Sequence, residues 1–203
     1  MSDTFLVINR SATAEIKVKG SRFLAEALPV TSTAEAEDEI AAIRKRAYDA
    51  THHCTAYRIG PSGEIFRFND DGEPSGTAGA PILRQIDGRG LTDTLVVVTR
   101  YYGGTKLGTG GLIRAYGDAA AEVLDIAPVR RHVIRVPVRL CFGYPDTSPA
   151  MHTVSRFDTE IQETRYTEET EMIVGLRRSE VDAFVEAFVE ALAGRGVAEV
   201  LPA

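Results

Sequence analysis

The chain has 203 residues, 44% of them hydrophobic and 26% charged, with a formal net charge of −6. This composition is typical of a folded protein of one or two domains. The longest purely aliphatic run, residues 95–98, is far shorter than the ~20 apolar residues of a membrane helix. The acidic balance argues against tight non-specific binding of nucleic acid but leaves room for a local basic patch. No secretory signal is visible in residues 1–10, and Cys54 and Cys141 form no CxxC pair, so we expect a reduced, cytoplasmic chain.

The first half of the chain predicts an alternation of strands and helices. Apolar and charged residues alternate over residues 15–19 and 23–25, which predicts two strands. Ser32 and Glu35 form a capping box, which predicts a helix to about Tyr48. The next elements are a hairpin over 52–59 and 64–68, a polar loop over 70–80, a short helix from Pro81, a buried strand over 94–99 and a helix over 112–126.

The segment after Pro128 predicts a separate domain. Its elements are a strand over 133–142, a helix over 148–157, a hairpin over 159–166 and 171–177, a helix that ends before Gly194 and a strand over 197–201. The order β-α-β-β-α-β is that of the ferredoxin-like fold. We therefore predict an α+β protein with an N-terminal β-α-β sheet domain over residues 1–128 and a ferredoxin-like domain over residues 129–203.

Glycine is concentrated in one part of the sequence. Twelve of the 18 glycines lie between Gly60 and Gly111. Glycine is favoured where the backbone takes a positive φ or approaches another group closely. Because binding residues are often placed on loops held by a rigid scaffold, this window is the first place to look for function.

The 70–79 loop contains three carboxylates within four positions. Asp70, Asp71 and Glu73 could hold a hard cation such as Mg²⁺, but they could equally form a solvated turn. We interpret the loop as a turn or a partner contact and predict no metal site. Ser75 lacks the glycine two positions before it that a nucleophile elbow needs. The candidate binding residues of the loop are Asp70, Asp71, Glu73, Ser75, Gly76 and Thr77.

The 103–111 corner is a glycine-rich segment between a strand and a helix. Such a corner can present free backbone amides to an anion. Thr109 follows Gly108 where a Walker loop has lysine, and Ile113 stands where a dinucleotide fingerprint has glycine, so neither motif is present. Phosphate or RNA-backbone contact and close backbone packing both remain open. The candidate binding residues are Arg100, Gly103, Gly104, Lys106, Gly108, Gly110, Gly111 and Arg114.

Two adjacent histidines begin a predicted strand. Alternate residues share a face of a strand, so His52 and Cys54 should point to one side and His53 to the other. This is half of a zinc site without a second pair to complete it. We favour a histidine held by a carboxylate from residues 70–71, an arrangement that would also suit a general base. Nearby aromatic residues could stack on bases, although strand and helix spacing favours core positions for most of them: Tyr57, Phe66, Phe68, Tyr101, Tyr102 and Tyr116.

Four sequence blocks together resemble a known family. Residues 19–23, 50–54, 70–79 and 98–111 are similar to the IMPACT family, in its bacterial YigZ-like branch. The resemblance implies an N-terminal fold like that of a small-subunit ribosomal protein and of the fourth domain of elongation factor G, and a C-terminal domain like the last domain of that factor. Eukaryotic relatives act in translational control through a protein partner of a starvation-responsive kinase. The resemblance carries over no catalytic residue.

Three functional hypotheses follow. The first is a non-enzymatic, translation-associated protein that contacts RNA, the ribosome or a protein partner through the 70–79 loop and the 103–111 corner, with a phosphate or sulfate as a possible ligand of the corner and no cofactor. The alternative is a metal- or phosphate-dependent enzyme acting on an anionic small molecule or nucleotide. In that enzyme His52 or His53 would be the base, the loop carboxylates the metal or acid groups, and the corner amides the anion cradle. The third assigns function to the C-terminal domain, whose strands carry many acidic residues that disfavour RNA.

Overall fold

The computed structural model describes residues 3–202, so the first two positions of the segment searched for a secretory signal lie outside it. The described residues form two compact units. One is Phe5–His132, and the other runs from Val133 onward and includes Asp3 and Thr4. Within residues 3–202, no helix combines the length and the apolar content that a membrane crossing requires.

The first unit is built on a five-stranded antiparallel sheet. Its sheet strands are β2 (Ala12–Val18), β3 (Ser21–Pro29), β4 (His52–Ile59), β5 (Ile65–Asn69) and β6 (Thr94–Tyr101), in the order β2-β3-β6-β4-β5. A separate pair is formed by β1 (Thr4–Ile8) and β7 (Val129–Val133), which the sequence did not predict as strands of their own. The helices are α1 (Thr33–Arg46), α2 (Gly79–Gly88) and α3 (Gly108–Ile126).

Each face of the sheet is covered by helices. The face that carries Leu95 and Val97 packs against α1, whose buried positions include Ile40 and Ile43. The other face packs against α2 and α3 in a larger apolar core that includes Phe23. The predicted capping is confirmed in part at the start of α1. The Ser32 hydroxyl accepts a hydrogen bond from the Glu35 amide at 3.2 Å, whereas the Glu35 carboxylate accepts from the amide of Thr31 at 2.7 Å rather than from that of Ser32. Buried β6 therefore separates two cores, as its run of β-branched residues predicts.

The second unit has the ferredoxin-like order predicted from the sequence. Its elements are β8 (Arg135–Phe142), α4 (Thr147–Arg156), β9 (Thr159–Tyr166), β10 (Thr170–Arg177), α5 (Val181–Ala191) and β11 (Val197–Val200). The sheet order is β11-β8-β10-β9, with antiparallel neighbours throughout. The core is formed by apolar residues of the strands with Phe184 and Phe188 of α5. The α+β class and the two-domain organisation are thus confirmed.

One boundary differs in a way that concerns the functional site. The sequence predicts that α3 begins at Leu112, but the helix begins at Gly108. The four residues Gly108, Thr109, Gly110 and Gly111 have no apolar side chain to reveal a helical period, so the sequence pattern favoured a loop there. Glycine-rich backbone therefore forms the first turn of a 19-residue helix.

Candidate functional site

Asp70 holds the 70–79 loop in its shape. One oxygen of its carboxylate accepts hydrogen bonds from the amides of Ala78 at 3.0 Å and Gly79 at 2.8 Å, and the other accepts from Gly76 at 2.8 Å. Three backbone donors therefore occupy most of the acceptor sites of this carboxylate. The role of Asp70 is to fix the turn that leads into α2.

Asp71 joins the loop to the first residues of β4. Its carboxylate accepts hydrogen bonds from the His53 amide and from Arg44, each at 2.6 Å. The carbonyl oxygen of Asp71 lies 2.8 Å from Nδ1 of His52. Because a carbonyl oxygen can only accept, Nδ1 of His52 carries the proton. The expected contact between the histidine pair and residues 70–71 is thus present, with the backbone of Asp71 holding His52 and its carboxylate holding the amide of His53.

Glu73 forms a buried ion pair with Arg100. Both side chains are almost wholly buried, at 4% and 6% exposure. Oε1 of Glu73 accepts hydrogen bonds from Arg100 and, at 2.8 Å, from the hydroxyl of Tyr116 in α3. A second nitrogen of Arg100 donates to the Ser21 hydroxyl at 3.3 Å. This network ties the 70–79 loop to β6, α3 and the start of β3.

Strand pairing explains why these polar groups meet. In the antiparallel register Arg100 lies opposite His52 on β4 and opposite Phe23 on β3. Side chains that are directly opposite share a face of the sheet. His52 therefore lies near the ion pair, with Nε2 3.8 Å from Oε1 of Glu73, too long for a hydrogen bond. Cys54, two residues along, lies on the same face, as predicted.

Burial keeps the nearby nucleophilic groups neutral. It raises the pKa of the Cys54 thiol to about 12 and raises the pKa of the Tyr116 hydroxyl well above its ordinary value. On the opposite face of the sheet, burial is the largest influence on His53 and lowers its pKa, while Nε2 donates to the Ala47 carbonyl at 3.1 Å. Neither Cys54 nor Tyr116 is therefore an activated nucleophile in this state.

The three loop carboxylates do not converge on one point. Asp70 faces backbone amides, Asp71 faces Arg44, and Glu73 faces Arg100. Within residues 3–202, no group of three or more His, Cys, Asp or Glu side chains is arranged to hold a metal ion. The arrangement fits a braced loop better than a cluster of cation ligands.

The first half of the 103–111 corner is packed against another turn. A Cβ on Gly103 would overlap the carbonyl oxygen of Gly20, and one on Gly104 would overlap that of Lys19. The Ser21 hydroxyl also bonds to the Gly103 carbonyl at 3.1 Å. Close backbone packing, one of the two alternatives left open by the sequence, therefore describes Gly103 and Gly104.

The second half of the corner is open. Apart from the chain neighbours and the helix's own backbone, no atom lies within 4 Å of where a Cβ would stand on Gly108 or Gly110, and Gly108 has a φ of +70°. Gly111 is less open, since a Cβ there would lie 3.1 Å from Cβ of Leu107. The residue before α3, Leu107, has no side chain able to cap the helix, and the first turn contains no acidic residue. The first amides of a helix have no carbonyl partner within it. This end of α3 is therefore a set of uncapped donors at the surface.

The loop and the corner border a common cavity of about 290 Å³, here called the α3 cavity. Its residues come from both segments and from the strand between them: Glu73, Pro74, Arg100, Tyr102, Lys106, Leu107, Gly108, Thr109 and Leu112. The two segments, distant in sequence, thus lie side by side, as the sequence predicts. The cavity has one acidic residue and two basic ones, and that acidic residue is already paired with Arg100.

The candidate residues divide by accessibility. Those that are exposed are Ser75, Gly104, Lys106, Gly108, Gly110 and Arg114. Those that are buried are His53, Glu73, Thr77 and Arg100, while His52, Asp70, Asp71, Gly76, Gly103 and Gly111 are half-buried. Among the aromatic candidates, Tyr57 and Tyr116 are buried, whereas Phe66, Phe68 and Tyr102 are exposed. Only Tyr102 among them lines the α3 cavity.

Several residues of the site are not predicted by the sequence. Ser21 and Arg44 belong to the polar network, and Pro74, Leu107 and Leu112 form apolar walls of the cavity. No local pattern gives the partners of Ser21 or Arg44, because these lie 79 and 27 residues away. Ser21, Pro74 and Leu107 do lie within the blocks that resemble the family, and that resemblance was the available signal.

Fold and site together define a two-domain α+β protein whose first domain has an open cavity at the amino end of a helix. Residues 19–124 match the Impact N-terminal domain, and residues 141–195 match a domain of unknown function, DUF1949. The chain is 37% identical over 196 residues to the IMPACT family member YvyE of Bacillus subtilis, covering 96% of this chain and 90% of that protein.

Two further similarities extend over nearly the whole chain. An IMPACT family member of Haemophilus influenzae is 32% identical over 199 residues, covering 97% of each protein. A crystal structure of a hypothetical protein has a TM-score of 0.74 and 29% identity, covering 100% of this chain and 99% of that one. The chain belongs to the IMPACT family, which confirms the resemblance seen in its sequence blocks.

Proposed function

We propose that this protein is a translation-associated binding protein that contacts RNA through the surface formed by the 70–79 loop and the 103–111 corner. The observation that carries the proposal is the α3 cavity, where both segments meet beside uncapped helix amides. A surface of this kind suits the phosphates of an RNA backbone, which bind readily at helix amino ends.

Local charge supports RNA as the partner. The chain as a whole has a net charge of −6, yet the α3 cavity contains Lys106 and Arg100 against Glu73 alone. Exposed Arg114 adds a further positive charge on the same helix. The positive partial charge at a helix amino end acts in the same direction. An acidic chain with a local cluster of positive charge is suited to selective contact at that cluster rather than to coating nucleic acid.

Family membership supports the link to translation. The resemblance implies an N-terminal fold shared with a ribosomal protein and an elongation factor, and relatives in eukaryotes act in translational control. Fold alone is weak ground for function, so the proposal depends on the cavity and its charge. A role on the ribosome also requires a cytoplasmic location.

The test is cosedimentation of the full chain with ribosomes over a range of salt concentrations. The variant Lys106→Ala with Arg114→Ala removes one exposed cation of the α3 cavity and one exposed cation further along α3. The control variant, Lys45→Ala with Arg130→Ala, removes one exposed cation from α1 and one from β7. It changes the net charge of the chain by the same amount as the first variant. We expect the first pair to weaken binding and to reduce the slope of log affinity against log salt by about 1 for each phosphate that the variant no longer neutralises.

Three outcomes would overturn the proposal. Wild-type protein that stays in the supernatant at every salt concentration excludes RNA on the ribosome as the partner. Equal weakening by both variant pairs shows an unspecific charge effect. Cosedimentation that persists after the exposed RNA has been digested would assign the surface to a protein partner.

A further inference from the structure

We propose that the amino end of α3 is a built site for a phosphate group, held by the first amides of the helix, Lys106 and Arg100. The inference rests on the proposed function, because it names the group of the RNA that the surface binds. It also makes a claim of its own, since a phosphate site should take small phosphorylated molecules in the absence of any RNA.

The helix end supplies donors that nothing within residues 3–202 caps with a side chain. α3 begins at Gly108 without a side-chain cap and without an acidic residue in its first turn. Gly108 and Gly110 place no side chain over the amides, and the space beside both is empty. At most helix starts a Ser, Thr, Asp or Asn side chain accepts these bonds. Here an oxygen from outside the chain is the acceptor that the geometry admits.

A second, independent observation comes from Arg100. This side chain lines the same cavity and is 6% exposed. Two of its nitrogens have partners, Glu73 and Ser21, but the buried Nε has no hydrogen-bond acceptor among the described residues. Buried donors without an acceptor are rare in proteins and call for an explanation such as a bound ion or ligand. Nε is therefore an unpaired donor on a residue that lines the cavity.

The charges around the cavity favour an anion. Glu73 is the only acidic residue that lines it within the described part of the chain, and its carboxylate already accepts from Arg100 and Tyr116. Lys106 is exposed and forms no ion pair within residues 3–202. The charges of Glu73 and Arg100 cancel in their ion pair. The cavity therefore retains the full positive charge of Lys106, in addition to the partial positive charge of the helix amides.

The size of the cavity leaves room for more than the phosphate itself. A single water needs about 10–15 Å³ of the volume in which a water-sized sphere can be centred, and the cavity has about 290 Å³ of it. Beyond the charged end its walls include Pro74, Leu107 and Leu112, with the ring of Tyr102. These groups could contact a sugar or a base attached to the phosphate. The shared chemistry is a phosphate group, and its source is either inorganic phosphate or a nucleotide.

Isothermal titration calorimetry on the full chain tests the inference with three probes: inorganic phosphate, adenosine monophosphate and adenosine. We expect both phosphate probes to bind and adenosine not to bind. Tighter binding of the nucleotide identifies a nucleotide as the source of the phosphate, and equal binding identifies free phosphate.

Three variants locate the binding. Thr109→Asp puts a carboxylate in the first turn of α3, where it favours the helix but competes for the amides, and we expect at least a tenfold loss of affinity. Lys106→Gln should lower the affinity for phosphate several-fold. Arg100→Lys keeps a positive charge beside Glu73 but removes the Nε donor, and it should also lower the affinity for phosphate several-fold. Lys45→Gln, an exposed lysine on α1, should stay within twofold of wild type.

Failure of this inference is distinguishable from failure of the proposed function. If no phosphate probe binds, or if Thr109→Asp binds like wild type, the phosphate site is wrong, while ribosome cosedimentation still decides RNA binding. If the phosphate probes bind as expected but the protein does not cosediment with ribosomes, the phosphate site is supported and the proposal of RNA binding is wrong.

Discussion

The two halves of the 103–111 corner have similar sequences and opposite environments. Gly103 and Gly104 face the backbone of the turn at Lys19 and Gly20 so closely that neither position has room for a side chain. Gly108 and Gly110 face open space at the start of α3. In the first half, glycine is required because the backbone packs closely against another turn of the protein. In the second half, the lack of side chains leaves the amides at the start of α3 accessible.

The same division applies to the 70–79 loop. Glu73 is buried in an ion pair, and Asp70 accepts hydrogen bonds from three backbone amides. Pro74 and Ser75, which lie between Glu73 and the start of α2, are exposed. We call Gly103, Gly104, Asp70, Glu73 and Arg100 the closed half of the site. The open half is Pro74, Lys106, Gly108, Thr109 and Gly110. Changes to the closed half should affect folding, and changes to the open half should affect binding. Arg100 belongs to the closed half but also lines the cavity, so changes to it should affect both.

Removal of Glu73 should produce the largest effect. Glu73→Ala leaves the buried guanidinium of Arg100 without a counter-charge, and we expect a loss of about 3–5 kcal/mol in the free energy of unfolding. Urea denaturation of the full chain measures this loss in the free energy of unfolding. Glu122→Ala, an exposed carboxylate on the same helix that carries Tyr116, should change stability by less than about 0.5 kcal/mol.

A double variant sharpens the result. Replacing both members of the pair, Glu73→Leu with Arg100→Met, should cost less than the sum of the single changes, because no unpaired charge stays buried. A cost for Glu73→Ala as small as that of Glu122→Ala would contradict the assignment of Glu73 to the closed half.

Alanine substitutions compare the two halves of the corner directly. Gly103→Ala introduces a Cβ against the Gly20 carbonyl and should destabilise the fold by about 1–3 kcal/mol. Gly110→Ala adds a methyl group in open space within a helix and should stabilise it by up to about 1 kcal/mol. Thermal or urea unfolding of both variants gives the sign of each change. Equal effects would mean that the halves do not differ as described.

The smallest expected effect is a pH dependence from His53. Its pKa is lowered in the folded chain by burial, so the unfolded chain binds the proton more strongly. The stability that its neutral form supports is therefore present above the ordinary pKa of about 6.5 and is lost as the pH falls below it. Urea unfolding between pH 7.5 and 5 should show a shallower fall in stability for His53→Gln than for wild type.

The matched control is His152→Gln, since His152 is exposed on α4. This variant should keep the wild-type pH dependence. If His152→Gln flattened the curve and His53→Gln did not, the buried histidine would not be the source of the effect.

The sequence predicted the elements better than the site. Alternation and capping identified α1 and the βαββαβ order of the second unit, because these are local signals. The beginning of α3 was misplaced because glycines carry no periodic side chain. The separate strands β1 and β7 were missed because they pair with each other across more than 100 residues, and the further bridge of β1, from Leu6 to Leu91, is equally distant from any local pattern.

Arg100 illustrates the limit of sequence reasoning for the site. Alternation along β6 puts it on the same face as Val96 and Val98, and both of those residues are buried. Its charge nevertheless suggested a surface contact. Its counter-charge, Glu73, lies 27 residues away, and no local pattern connects the two. Arg100 stays among the predicted binding residues because it lines the cavity and its Nε has no acceptor among the described residues.

The most direct test of the open half is the amide NMR spectrum of the ¹⁵N-labelled full chain during titration with a short single-stranded RNA. The account predicts that the amide signals of Lys106, Gly108, Thr109 and Gly110 shift with the RNA concentration, while those of Asp70 and Gly103 in the closed half move little. Shifts confined to other parts of the molecule, or no shift at all at the start of α3, would contradict it.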